Sequence, residues 1–108
     1  MKSKKLKELY SVMKDFVEDG AGYYYMSYFG DEYIISIERY GRGYLIYLTN
    51  ENDEYIVIGN DDCGGVYIGE HIPFSTLKEA KEKLKMLSPD NRNLMQEIKE
   101  AFKQKTKK

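Results

Sequence analysis

The chain has 108 residues, 42% hydrophobic and 32% charged, with a formal net charge of −1; that length and balance fit one globular domain over residues 1–108 and exclude a disordered chain. No apolar run approaches the roughly 18 residues of a spanning helix, and charges interrupt Leu6, Leu9 and Tyr10 where a signal peptide would be unbroken. Cys63 is the only cysteine, which excludes an internal disulfide and a Cys-x-x-Cys pair, so the expected compartment is the cytoplasm.

The residues are unevenly distributed. Ten of the 11 tyrosines lie between Tyr23 and Tyr67, and all nine glycines between Gly20 and Gly69. Charge follows the same division: residues 1–14 carry net +4, residues 15–62 carry net −9, and residues 63–108 carry net +4. An acidic, tyrosine-rich middle is thus flanked by basic ends. Such asymmetry bears on partners rather than on fold.

The first predicted element is an amphipathic helix over Lys4–Val17. Its apolar stripe is Leu6, Leu9, Tyr10, Met13, Phe16 and Val17, with Ser3 as N-cap and Gly20 as stop signal. From Tyr23 the period changes to two. Tyr23–Phe29, Tyr33–Tyr40, Tyr44–Thr49 and Tyr55–Ile58 are predicted strands, with a possible fifth at Val66–Ile68. Short turns at Gly30-Asp31-Glu32, Gly41-Arg42-Gly43 and Asn50–Glu54 make them antiparallel neighbours. Helix signals return at Ser75–Glu79, where Thr76 and Glu79 have capping-box spacing, with Leu77, Ala80, Leu84 and Leu87 as the stripe. Ser88 and Pro89 are read as N-cap and first residue of a last helix. Its stripe is Leu94, Met95, Ile98, Ala101 and Phe102, and Lys103–Lys108 are expected to fray. The predicted class is therefore α+β: an antiparallel four- to five-stranded meander with one N-terminal helix and two C-terminal helices.

Tyr33, Ile35 and Ile37 form the inward set of the second strand. On the third strand either Tyr44, Ile46 and Leu48 or Leu45 and Tyr47 could face inward, because both of its faces are apolar. A meander covered on one side should instead show a polar face.

No motif commits the chain to a reaction. Gly-x-Ser-x-Gly, P-loop, His-Glu-x-x-His and Gly-x-Gly-x-x-Gly patterns are absent. Cys63 stands beside Asp62, whose charge opposes a thiolate, and His71 reads as a turn or surface residue. Arg42–Tyr47 begins like an RNA-binding RNP1 motif, but Leu45 and Ile46 depart from it and the βαββαβ order is missing. Glu51, Asp53, Glu54, Asp61 and Asp62 could approach one another, yet their spacing is not an EF-hand and acidic turns are commonly solvated. No catalytic residue, cofactor or metal is therefore expected. The tyrosines have two readings. They favour half-buried strands, and they also supply rigid amphipathic rings for a partner surface. The expected partner-binding residues are Tyr24, Tyr28, Tyr47, Glu51, Asp53, Glu54, Asp61 and Asp62. The expected partner is a protein; nucleic acid bound by basic helices 1 and 3 is the alternative. A homodimer is a further possibility, and no membrane is expected.

The segment Ile46-Tyr47-Leu48-Thr49-Asn50-Glu51-Asn52-Asp53-Glu54-Tyr55-Ile56-Val57, set within a helix–meander–helices order, resembles some phage-encoded anti-CRISPR proteins. The resemblance implies a non-enzymatic inhibitor from a phage or mobile element. Such a protein occupies the nucleic-acid-binding surface of a host-defence nuclease with its carboxylates. The net charge of −1 and the basic last helix depart from the more acidic members of that group.

Overall fold

The computed structural model describes residues 2–18, 22–61 and 64–106. Gly20, Asp62, Cys63 and Lys107–Lys108, on which parts of the sequence reading rest, lie outside them. The order is α1 (Lys4–Glu18), β1 (Tyr23–Phe29), β2 (Tyr33–Tyr40), β3 (Gly43–Asn50), β4 (Tyr55–Asp61), β5 (Gly65–Ile68), α2 (Leu77–Leu84) and α3 (Arg92–Thr106). The five strands form one antiparallel sheet in the order β1-β2-β3-β4-β5. No described helix is long and apolar enough to cross a membrane.

Local chemistry sets the boundaries. Ser3 caps α1: its hydroxyl accepts from the Leu6 amide at 3.1 Å. Thr76 caps α2, accepting from the Glu79 amide at 3.1 Å. The last helix departs from the reading at both ends. Ser88 accepts from the Asp90 amide within a turn, and Asn91 is the cap, its side-chain oxygen accepting from the Leu94 amide at 3.1 Å. The helix thus begins at Arg92, because Ser88-Pro89-Asp90 favours a compact turn as readily as a helix start. At the other end it continues past Phe102 to Thr106.

The doubly apolar third strand has a direct cause: helices lie on both faces of the sheet. On one face Tyr33, Ile35 and Ile37 of β2, Ile46 and Leu48 of β3, and Ile56 and Ile58 of β4 pack with Phe74, Ala80, Leu87, Ile98 and Phe102. The opposite face carries a smaller core in which Ile34 packs with Leu6 and Met13 of α1, joined by Tyr23, Met26 and Tyr28 of β1. Leu45 and Val57 face this second side and are buried as well. Both readings of β3 hold at once, one for each face.

The connection after β5 is bonded to both β3 and β4. Phe74 exchanges backbone bonds with Tyr44 (2.8 and 2.9 Å), and the Asn60 amide donates to the Ile72 carbonyl at 2.8 Å. The segment therefore runs between the diverging ends of β3 and β4. Gly43 and Gly59 permit it: a Cβ at 43 would collide with the Phe74 carbonyl, and one at 59 with the carbonyls of Glu70 and Ile72. Phe74 ends fully buried in the larger core, where such a side chain contributes roughly 1.5–3 kcal/mol.

Candidate functional site

Helix α1 lies along β1 and β2 and leaves β3 and β4 with thinner cover on the same face. Between them is a cleft of about 350 Å³, lined by Leu9, Val12, Met13 and Phe16 of α1, Tyr23 of β1, Glu38 of β2, Tyr47 and Thr49 of β3, Asp53 of the next turn, and Tyr55 of β4. Strand alternation brings these residues together. Glu38 stands opposite Tyr23 on β1 and Leu45 on β3, and Thr49 stands opposite Tyr55 on β4. Two ring pairs form its walls. Tyr47 and Tyr55 have centroids 5.3 Å apart at a 54° tilt, and Phe16 stacks on Tyr23 at 6.1 Å.

The electrostatics of this cleft are unusual for a strand surface. Burial pushes the Glu38 carboxyl up to about 7. Burial, and then the nearby Glu38 charge, push the Tyr47 hydroxyl up to about 12. Tyr23 is raised by the same two causes in the same order. A carboxylate is thus held in a half-apolar, ring-lined space, and none of the lining residues is a lysine or arginine. Beside it on the same face, Ser36 is fully buried and its hydroxyl has no hydrogen-bond partner among the described residues.

Asp53 reaches the cleft through an organised turn. The side-chain oxygen of Asn50 accepts from the amides of Asn52 and Glu54, both at 3.0 Å, while its Nδ2 donates to Glu54 Oε1 at 2.9 Å. Asp53 then adopts φ 61°, a left-handed conformation that Asp tolerates better than most residues.

The predicted partner-binding residues are scattered by this arrangement. Tyr47 and Asp53 meet in the cleft. Tyr28 is covered by α1, its ring stacked on Tyr10 at 4.1 Å. Tyr24 is separated from both, because the pairing shifts register between Tyr23 and Tyr25. That bulge turns Tyr24 towards Tyr44, on the side of the larger core. Glu51 lines a shallow depression with Lys99 and Lys103 of α3, and Glu54 is engaged by Asn50. Asp61 sits at the far end of β4 from Asp53, a separation of about 20 Å at strand rise. Asp62 and Cys63 lie outside the described residues, and His71 is exposed, 6.0 Å from the Tyr40 ring. The described residues contain no cluster of three or more His, Cys, Asp or Glu able to hold a metal.

Sequence reasoning did not select Glu38, Tyr23, Tyr55, Val12 or Phe16. Simple alternation with Ile35 and Ile37 puts Glu38 on the outward-facing set of β2. The usable signal was that Leu45 and Val57 make that face apolar too. Comparisons with protein-family models, curated proteins and solved structures find no match for this chain.

Proposed function

We propose that the chain is a non-enzymatic binding module that engages another protein through the cleft and rim beside α1. One observation carries this reading. Of the large apolar side chains that are exposed, Val12, Phe16 and Tyr55 converge on a single cleft, and Tyr40 extends the same face. Convergent aromatic and aliphatic exposure around a few polar groups is the composition of a protein-binding patch. A photo-crosslinking amino acid at position 12 tests it in a bacterial lysate. A discrete crosslinked protein, absent when the same group is placed at Lys78 on α2, is the expected result. An identical pattern from both positions would refute the proposal.

The sharper form of the reading is a phage or mobile-element inhibitor of a CRISPR-type nuclease. It draws on the resemblance of the 46–57 hairpin and on Glu51, Asp53 and Glu54 at its tip. Glu51 stands beside lysines of α3, and Asp61 is at the opposite end of the sheet. The hairpin tip alone, rather than a continuous acidic strip, would have to do the mimicry. The nucleic-acid alternative is less well supported, because α1 and α3 lie on opposite faces of the sheet. Lys5 of α1 and Lys99 and Lys103 of α3 come together only beside the acidic 50–54 turn, where Glu51, Asp53 and Glu54 oppose a phosphate backbone.

A further inference from the structure

We infer that the cleft beside α1 receives a lysine side chain of the partner protein, its ammonium set against the rings of Tyr23, Tyr47 and Tyr55 and the carboxylate of Glu38. This rests on the protein-binding reading and specifies the chemistry of its central contact.

Three features point to a cation. The walls are aromatic, and the two ring pairs offer π-faces and edges around one space. An ammonium over such rings is attracted by their quadrupole, more strongly when desolvated. The negative groups of the cleft, Glu38 and Asp53, have no basic residue among the lining side chains to neutralise them. Lys5 of α1 is engaged outside the lining, donating to the Asn52 side chain at 2.9 Å. The α1 wall is wholly apolar, formed by Leu9, Val12, Met13 and Phe16. A charged head needs the rings and carboxylate, and a methylene stem needs this apolar wall. A lysine supplies both, whereas a free small amine would leave the apolar wall uncovered.

The titratable groups facing the cleft are Glu38, Asp53, Tyr23, Tyr47 and Tyr55, with Tyr40 nearby on the sheet. Burial raises Glu38 to about 7, so an entering ammonium favours its ionised form. Proton release should accompany binding near neutral pH.

The test is an NMR titration of the full chain with acetyl-Gly-Lys-Gly-amide, acetyl-Gly-norleucine-Gly-amide and methylammonium. The lysine peptide should shift the signals of residues 23, 38, 47 and 55, at least tenfold more tightly than the norleucine peptide or methylammonium. Its affinity should fall between pH 8 and pH 5.5, and Glu38→Gln should abolish that fall. Tyr55→Ser, at a more exposed position, gives a second variant if Glu38→Gln perturbs the fold; it should weaken the lysine peptide at least fivefold. Equal binding of the norleucine peptide would overturn the cation assignment and leave an apolar protein-binding cleft. Equal or tighter binding of methylammonium would make the ligand a free amine and overturn the partner lysine. No shift with any probe at millimolar concentration would overturn the inference outright. The crosslink from position 12 reports on protein binding independently of all these outcomes.

Discussion

The two faces of the sheet are built from the same strands and treated differently. One face is closed: α2, α3 and Phe74 bury the tyrosine and isoleucine rows of β2, β3 and β4 in a continuous core. The other has helix cover only over β1 and β2, where α1 seats Leu6 and Met13 against Ile34. Beyond α1, rings and a carboxylate line a cleft instead of a helix. The larger core secures the fold, and the proposed partner contact lies on the second face, beside α1. The tyrosine surplus serves both ends. Tyr33 stacks on Phe102 at 5.3 Å inside the closed core, whereas Tyr47 and Tyr55 form a wall of the cleft.

Perturbing the closed face should have the largest effect. Phe74→Ala removes a fully buried ring at the crossing between β3 and β4. It should destabilise the chain by about 3–5 kcal/mol, measured by denaturant unfolding. Leu6→Ala, on the second face, should cost about 2–3 kcal/mol, near the lower end of the usual range, because its cluster is smaller and able to relax. Equal losses at the two sites would break the distinction between the faces.

A third substitution should act in the other direction. Ser36 buries an unpartnered hydroxyl, and an unsatisfied buried donor is unfavourable by roughly 1–3 kcal/mol. Ser36→Ala should therefore leave stability equal or raise it by up to about 1 kcal/mol. A clear loss would mean that the hydroxyl contributes to the folded state.

A further effect should appear in the pH dependence of Glu38. Its carboxyl is raised by burial from 4.5 to about 7, so the folded chain holds its proton more tightly than the unfolded chain. The associated stability is present below about pH 4.5 and is lost as pH rises through 7. Wild type should lose stability relative to Glu38→Gln across that window, in thermal melts at matched ionic strength. Parallel curves for the two proteins would show that the carboxylate is already well solvated.

Much of this architecture was legible in the sequence. The helix stripe from Leu6 to Phe16, the turn signals at Gly30 and Gly41, and the Thr76–Glu79 cap specify their elements through local chemistry. The strand periodicity also predicted two apolar faces on β3. It did not say how three helices would be divided, because that depends on contacts distant in sequence, such as Leu6 with Ile34. The site was less legible. Tyr47 and Asp53 were selected as strand and turn residues, but Glu38 reads from sequence as an ordinary solvent-facing charge. A register shift at Tyr24 moved one expected ring to the other face, and neither composition nor spacing marks that bulge. Asp53 and Asp61, which the sequence allows to approach one another, are held apart by the length of β4.

The most direct test of the two-face account uses the partner crosslinked from position 12 and two charge insertions of matched exposure. Val12→Asp lies on the cleft rim and Met86→Asp lies after α2, with 54% and 58% exposure respectively. Both should leave stability within about 0.5 kcal/mol of wild type. Affinity for that partner, measured by calorimetry, should fall at least tenfold in Val12→Asp and be unchanged in Met86→Asp. The reverse pattern, or equal losses from both, would contradict the claim that the face beside α1 is the working face.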